Sequence, residues 1–466
     1  METAEEFQLQ QEKKFIKMTQ SSIPGLIGSL AVPTICSMLI TSIYNMADTY
    51  FVSQLDTSAS GAVGVIFSLM AVIQAIGFTF GVGSSTRVSK LLGEKRRQEA
   101  CESVATAFGL SIMAGCLLSA LCFINLDWLV RFLGATETIA PYAKDYAKYI
   151  LIGAPYMATN FVLNTSLRGQ GNAFWAMIGI MSGGILNIAL DPLFIFVFDM
   201  GISGAALATI LSQFISFVIL LYFNLGRHGA LPLKISNFRL DMGLVKEIIS
   251  FGMPSLCRQG IASTGMVMMV RCCKPYGDPA IAAISIVTRI MMFVASSMIG
   301  FGQGFQPVCG FNYGAKRYDR VEEAFWFSVK VSTAILFFAG TLMFIFAPSV
   351  MWAFRRDAAD VIAIGTTALR IQCMVLPVQG FFVMSNMYLQ CTGQSGRATL
   401  MATARQGIFF IPGTILWPMM FGLLGVQMVQ AVSDVCCLIL AIVLSRKFLP
   451  ELRALRLAEE NSAQMA

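Results

Sequence analysis

Two aspartates stand inside long apolar stretches of this 466-residue chain. Asp48 lies near the end of the first apolar run and Asp191 toward the end of the fifth. Asn187 precedes Asp191 by four residues, which puts the amide and the carboxylate on one helix face. Pro192 follows the acid directly. It lacks a backbone donor and predicts a bend in that helix beside Asp191. Thr209 lies about two turns into the next run, and Tyr146 begins the fourth. With about 1.5 Å of rise per residue, all five fall within roughly 20 Å of one boundary and form one layer. An ionisable group at membrane depth costs several kcal/mol unless it faces protein or water, so it marks a functional position. A buried carboxylate takes up and releases protons. Joined by an amide oxygen, a hydroxyl and a carbonyl, it also suits a hard cation such as Na⁺. The residues do not choose between the two ions.

The elements that hold this layer follow from composition. Apolar residues make up 56% of the chain and charged residues 13%, with mean hydropathy +0.69. A soluble surface needs about 25% charged residues, so a soluble enzyme, a disordered chain and a disulfide scaffold are excluded. A bilayer core takes about 20 apolar residues per helix. That yardstick predicts twelve spans, near 24–52, 60–86, 100–124, 142–166, 172–198, 203–225, 248–270, 280–305, 322–346, 363–390, 400–421 and 426–445. Net charge is +7. The basic residues sit in short clusters between apolar runs, which is the positive-inside pattern and not a nucleic-acid footprint. Lys13–Lys17, Lys95–Arg97, Arg227, Lys316–Arg320, Arg405 and Arg446–Lys447 mark one side; Arg131, Arg355 and Arg356 are among the fewer on the other. This bias predicts both termini in the cytoplasm. The polar first twenty residues predict no cleavable signal, the first apolar run remaining as a membrane helix. The twelve cysteines lie mostly in apolar runs without a CxxC spacing and read as small apolar residues. With His228 the sole histidine, neither a metal centre nor histidine-based catalysis is expected, and the chain does not read as an enzyme.

The chain also repeats itself. An offset of 221 lays Pro33 on Pro254, Gly83 on Gly304, Gly93 on Gly314, Lys95 on Lys316 and Gly201 on Gly422. Gly171 meets Gly393 after a one-residue slip. Six spans separate the copies, so they run in the same orientation, a plan used by transporters that hold substrate at the repeat interface. The expected fold is an all-α membrane protein of twelve transmembrane helices in two six-helix lobes, related by a pseudo-two-fold axis along the membrane normal. The expected units are an N-terminal segment 1–20, an N-lobe 21–225, a linker 226–247, a C-lobe 248–446 and a tail 447–466. The skeleton repeats but the acids do not. Asp48 lands on Met269 and Asp191 near Ile411–Gly413, so ion coupling is expected in the N-lobe.

The candidate substrate cavity takes in Asn160, Asn164, Gln259, Met269, Gln303 and Gln306, and the amides Asn160, Asn164, Gln303 and Gln306 either line it or hydrogen-bond helices together. The same two readings hold for Gln379 and Asn386. Arg258, Arg289 and Asp434 are expected to pair with one another. Methionine clusters at Met266–Met269 and Met291–Met292 suit a pliable cavity for lipophilic ligands. Gly300–Gly304 lacks the Lys and Ser/Thr of a phosphate loop, so no nucleotide is expected and the driving force is an ion gradient. No cofactor is expected beyond H⁺ or Na⁺.

Three segments carry a resemblance. Ile299–Arg320, Leu167–Phe196 (LRGQGN, then LNIALDPLFIF) and Tyr44–Phe51 (YNMADTYF) resemble signatures of the multidrug and toxic compound extrusion (MATE) family. The similarity runs over roughly 20–448 and is greatest toward the bacterial DNA-damage-inducible protein F-type and Mep-type branch. The resemblance implies an inner-membrane antiporter, by default a monomer, that expels lipophilic, often cationic compounds in exchange for H⁺ or Na⁺. It implies an N-lobe cation site at Asp48, Asn187, Asp191 and Thr209, with Tyr146 nearby, and a first-helix bend at Pro33. The seventh-helix acid found in some branches is replaced here by Arg258 and Gln259 in MPSLCRQG. A lipid or lipid-linked precursor flippase of the wider superfamily is the alternative, and a channel a third.

Overall fold

The computed structural model describes residues 4–55, 57–225, 231–355 and 358–465; Arg227, His228 and Arg356 lie outside the described residues. The described chain is helical throughout, with no strand. A polar helix α1 (Ala4–Gln20) precedes α2 (Ile23–Ser53), α3 (Thr57–Gly93), α4 (Arg97–Ile124), the short α5 (Leu126–Phe132) and α6 (Ala140–Gly169). Then come α7 (Ala173–Pro192), continued by a π-helical turn Leu193–Val197, and α8 (Gly201–Leu225). The second half runs α9 (Met242–Cys273), α10 (Asp278–Gly314), α11 (Tyr318–Ile345), the short α12 (Ala347–Phe354) and α13 (Ala359–Val375). It closes with α14 (Gln379–Cys391), α15 (Ser395–Thr403), α16 (Phe410–Phe421) and α17 (Leu423–Met465). The pairs α13–α14 and α15–α16 are each one span interrupted by a 3₁₀ or π turn, which gives twelve membrane-length elements among the described residues.

Among the described residues, nine of these elements are long and apolar enough to cross a bilayer by length and composition. The other three, α6, α9 and α15–α16, carry Lys144 and Lys148, Arg258 and Arg271, and Arg397 and Arg405. The elements outrun the spans expected from apolarity, because helices continue past the lipid boundary. The tail 447–466 is no separate segment as far as Met465, since α17 runs through it unbroken.

The repeat is legible in the backbone. Lys95 and Lys316 adopt φ of 60° and 59°, Gly171 and Gly393 78° and 83°, Gly201 and Gly422 55° and 58°. Each pair ends or begins equivalent helices in the left-handed region. The short helices α5 and α12 begin at positions 126 and 347, again 221 apart, and both expose aromatic residues (Trp128 and Phe132; Trp352 and Phe354) suited to a membrane interface. Asn164 Nδ2 donates to the carbonyl of Ala176 (2.8 Å) and Asn386 Nδ2 to that of Ala398 (2.7 Å), the same bond in each half.

The lobes join asymmetrically along their length. At the end bearing the chain termini, one apolar core is shared: Ile27, Leu30 and Val88 pack with Phe305, Val308 and Phe325. At the far end each lobe has a core of its own, around Ile66, Ala143 and Ile150 in one and Met269, Val287 and Leu369 in the other. Backbone contact through glycine makes the shared seam. A Cβ on Gly83 of α3 would stand 2.1 Å from the Ile248 carbonyl oxygen of α9, and one on Gly252 of α9 2.0 Å from that of Thr79. A Cβ on Gly304 of α10 would meet Ala31 Cα of α2 at 2.5 Å. Thr34 Oγ1 donates to the Gly300 carbonyl at 2.7 Å, and Arg168 donates to Gln303. These contacts close the lobes at the termini end, whereas at the other end each lobe keeps its own apolar core.

Candidate functional site

Four helices bring the predicted layer together. Helix α2 carries Asp48, α6 Tyr146, α7 Asn187 and Asp191, and α8 Thr209. Two adjacent glycines of α7 set the spacing. A Cβ on Gly184 would press on Ile40 (2.9 Å) and Tyr44 (3.2 Å) of α2, and one on Gly183 on Ser216 of α8 (2.8 Å). Their absent side chains let α7 approach both neighbours at once, which draws Asp48 toward Asp191. Asn187 Nδ2 donates to Asp191 Oδ1 at 3.2 Å, the one-turn contact expected from their spacing. Asp48 lies within electrostatic reach of Tyr44, Tyr146 and Asp191, and Tyr146 adjoins Thr209. Asn187, Asp191, Tyr146 and Thr209 are buried, and Asp48 is half-buried.

The layer is short of donors. Among the described residues, nine buried side-chain atoms have no hydrogen-bond partner, and four of them are Asp48 Oδ1, Tyr146 Oη, Asn187 Oδ1 and Asp191 Oδ2. Buried polar atoms are almost always paired. A convergence of orphaned oxygens with two carboxylates fits protons or a hard monovalent cation. Among the described residues no three or more His, Cys, Asp or Glu side chains gather as a metal site.

Pro192 ends α7 and the chain passes into the π turn Leu193–Val197, so the predicted distortion lies directly beside Asp191. Proline cannot donate to the carbonyl four residues back, and π turns recur at functional sites. Pro33 is buried inside α2, which stays helical through it. Two partners of the layer were not singled out from the sequence as members: Tyr44 beside Asp48, and Gln213 beside Tyr44. Gln213 Oε1 accepts from Asn160 Nδ2 at 2.9 Å, which ties Asn160 to the back of the layer. The helical spacing of Tyr44 and Asp48, one turn apart, is the signal that would have found the tyrosine.

The six residues expected to share a cavity do not lie together. Asn160 and Asn164 bond helices of the N-lobe. Gln259 Nε2 donates across the lobes to Gln74 Oε1 at 3.2 Å. Met269 is packed in the C-lobe core. Gln303 and Gln306 line a small cleft with Arg168, Ser85 and Thr165 near the shared seam. The expected pairing of Arg258 or Arg289 with Asp434 is also corrected. Asp434 is held by Arg405, which lies not in a basic connection but in the π turn Ala404–Ile408. The turn swings the guanidinium inward, and Arg405 Nε donates to Asp434 Oδ1 at 2.8 Å.

Among the described residues, twelve membrane-length helices in two like-oriented lobes, with orphaned carboxylate oxygens inside apolar helices of one lobe, define a membrane transporter. The sequence pattern of the MatE family matches residues 33–193 and again 254–416, and the chain belongs to that family. The two matches begin at Pro33 and Pro254, one repeat apart. The chain is 27% identical over 438 residues to the multidrug export protein MepA of Staphylococcus haemolyticus, covering 93% of this chain and 94% of the relative. It is equally identical over 436 residues to MepA of Staphylococcus aureus strain MRSA252, covering 92% and 93%. Among solved structures it resembles the outward-facing conformation of a multidrug resistance MATE transporter of the MOP superfamily, with TM-score 0.88, 26% identity and coverage of 95% and 98%. The protein is a multi-pass membrane transporter and not an enzyme.

Proposed function

We propose that this transporter is a multidrug efflux antiporter that exports lipophilic, often cationic compounds in exchange for H⁺ or Na⁺. The observation that carries the reading is the set of four orphaned buried oxygens on Asp48, Tyr146, Asn187 and Asp191. Two carboxylates within electrostatic reach of one another, with no basic partner among the described residues, need neutralising, and a proton or Na⁺ supplies the charge. Thr209 adds a hydroxyl beside Tyr146.

The layer joins α2 to α7 and α8, so filling or emptying it shifts α2 within the N-lobe. Helix α2 also carries the seam residues Ala31 and Thr34, against Gly304 and Gly300 of the C-lobe. Pro33 lies between these two seam residues, where the helix lacks one backbone hydrogen bond. A movement at Asp48 thereby reaches the contact that closes the lobes, as alternating access requires. The basic termini end faces the cytoplasm of the plasma (inner) membrane, the end with separate lobe cores faces outward, and the functional unit is a monomer.

The test is dye efflux from proteoliposomes, with a pH gradient and a Na⁺ gradient imposed separately. One gradient alone is expected to drive efflux, and Asp191→Asn is expected to abolish the coupling. Wild-type rates from Asp191→Asn under both gradients would refute the assignment.

A further inference from the structure

The equivalent region of the C-lobe carries the opposite charge. At the repeat offset, Gly184, which admits Tyr44 in the N-lobe, is replaced by Arg405; Gln213 by Asp434; and Thr209 by Gln430. Asp48 has Met269 as its counterpart, and Ser37 has Arg258. The single acid of this cluster is saturated. Asp434 Oδ1 accepts from Arg405 Nε (2.8 Å) and Gln430 Nε2 (3.0 Å), and Oδ2 accepts from Gln379 Nε2 (2.8 Å). Its charge is spent on Arg405, whose guanidinium also lies over the Phe382 ring, 5.4 Å from the centroid.

Arg258 is the surplus. It is half-buried in α9, within electrostatic reach of Arg405 and of no acid. Among the described residues it has no hydrogen bond, ion pair or ring contact. The turn that bears Arg405 packs on the same helix: a Cβ on Gly265 of α9 would stand 3.0 Å from Gln406, and one on Gly407 3.2 Å from Ile261. An unpaired guanidinium at membrane depth is held only where a partner is supplied. Guanidinium is also the group best shaped to clasp a carboxylate, sulfonate or phosphate.

We infer that the C-lobe holds an anion subsite, in which Arg258, backed by Arg405, receives the acidic group of an amphiphilic organic anion or zwitterion. The substrate range then extends beyond lipophilic cations. The assignment of this ligand as cargo rests on the export reading above, whereas its binding does not.

The test is equilibrium fluorescence polarisation on purified full-length protein, with no gradient, so that a failure of coupled efflux leaves the result intact. Fluorescein and rhodamine 6G share a xanthene ring system and differ in charge. Wild-type protein is expected to bind fluorescein saturably. Arg258→Gln is expected to weaken that binding by roughly tenfold or more, since a charge-assisted hydrogen bond is lost, while rhodamine 6G affinity holds and reports an intact fold. Arg258→Lys keeps the charge and is expected to retain most of the binding. Equal fluorescein affinity in wild type and Arg258→Gln would overturn the subsite, as would no saturable binding by wild type. Fluorescein binding in phosphatidylcholine nanodiscs that excess phosphatidylglycerol abolishes would assign Arg258 to lipid headgroups and overturn the substrate role.

Discussion

Replacing Gly252 with alanine places a methyl carbon 2.0 Å from the Thr79 carbonyl oxygen, 2.7 Å from its carbonyl carbon and 2.9 Å from its Cα. Ordinary contact begins near 3.4 Å, so α9 must retreat from α3 by more than 1 Å. The neighbour is backbone inside a 37-residue helix and cannot rotate away. Overpacking of this kind costs about 1–3 kcal/mol. Only the state in which the lobes are closed at the termini end pays that cost. The equilibrium toward opening there should therefore shift about 5- to 150-fold. Ser89 of α3 reports the shift, because it is 2% exposed and packed on Gly310 of α10. In a cysteine-free background, a Ser89→Cys reporter should react with an impermeant maleimide faster by that factor when Gly252→Ala is present. Gly260→Ala, eight residues along the same helix, is the control. Its Cβ meets nothing within 4 Å, and alanine favours the helix by up to about 1 kcal/mol. Equal labelling rates for the two alanine variants, both correctly folded, would refute the seam as the closing contact.

Asp48→Asn should lower coupled efflux severely while leaving thermal stability within about 1 kcal/mol, because no hydrogen bond to Asp48 Oδ1 is lost; a wild-type efflux rate would count against Asp48. Arg405→Gln should destabilise the fold by about 3–5 kcal/mol by stranding Asp434. In a double-mutant cycle with Asp434→Asn the two losses should be strongly non-additive, and simple additivity of the melting shifts would contradict the pair. Lys14 of α1 donates to Asn172 Oδ1 at 2.8 Å, and burial together with Lys17 pushes its ammonium down to about 7. Between pH 7 and the ordinary lysine value of 10.5, docked α1 holds fewer protons than free α1, so docking should tighten as pH rises through that window. A spin label at Gln20 should lose mobility from pH 7 to 9 in wild type and show no such slope in Lys14→Met.

The skeleton was legible in the sequence because lipid imposes long apolar runs and the repeat doubles every signal. The helical class and the lobe count follow from spacing, whereas the helices run past the expected limits and the left-handed backbone at Lys95 and Lys316 is seen only in the structure. The layer of Asp48, Asn187, Asp191, Thr209 and Tyr146 was legible because an acid in an apolar run is conspicuous and depth along a helix is simple arithmetic. The cavity residues were not. An asparagine that bonds a neighbouring helix and one that contacts a ligand have the same composition around them, and only rotation about the helix axis separates Asn164 from a ligand contact. Arg405 was assigned to a basic connection because its π turn, which swings it inward, has no marker in apolarity.

The glycine seam has a further meaning. Gly83 of the first half rests on α9 of the second, and Gly304 of the second rests on α2 of the first. Reciprocal contacts of this kind are those of an isologous interface between two identical subunits. The seam is what two separate six-helix proteins would present as a homodimer, preserved inside one polypeptide. In such a dimer both pockets would be encoded by one gene and would have to bear the same charge. Tandem fusion frees them, so that one half can keep its acids at Asp48 and Asp191 while the other accumulates Arg258 and Arg405. The backbone keeps the symmetry of such a dimer, while the single chain carries a charge asymmetry that two identical subunits could not.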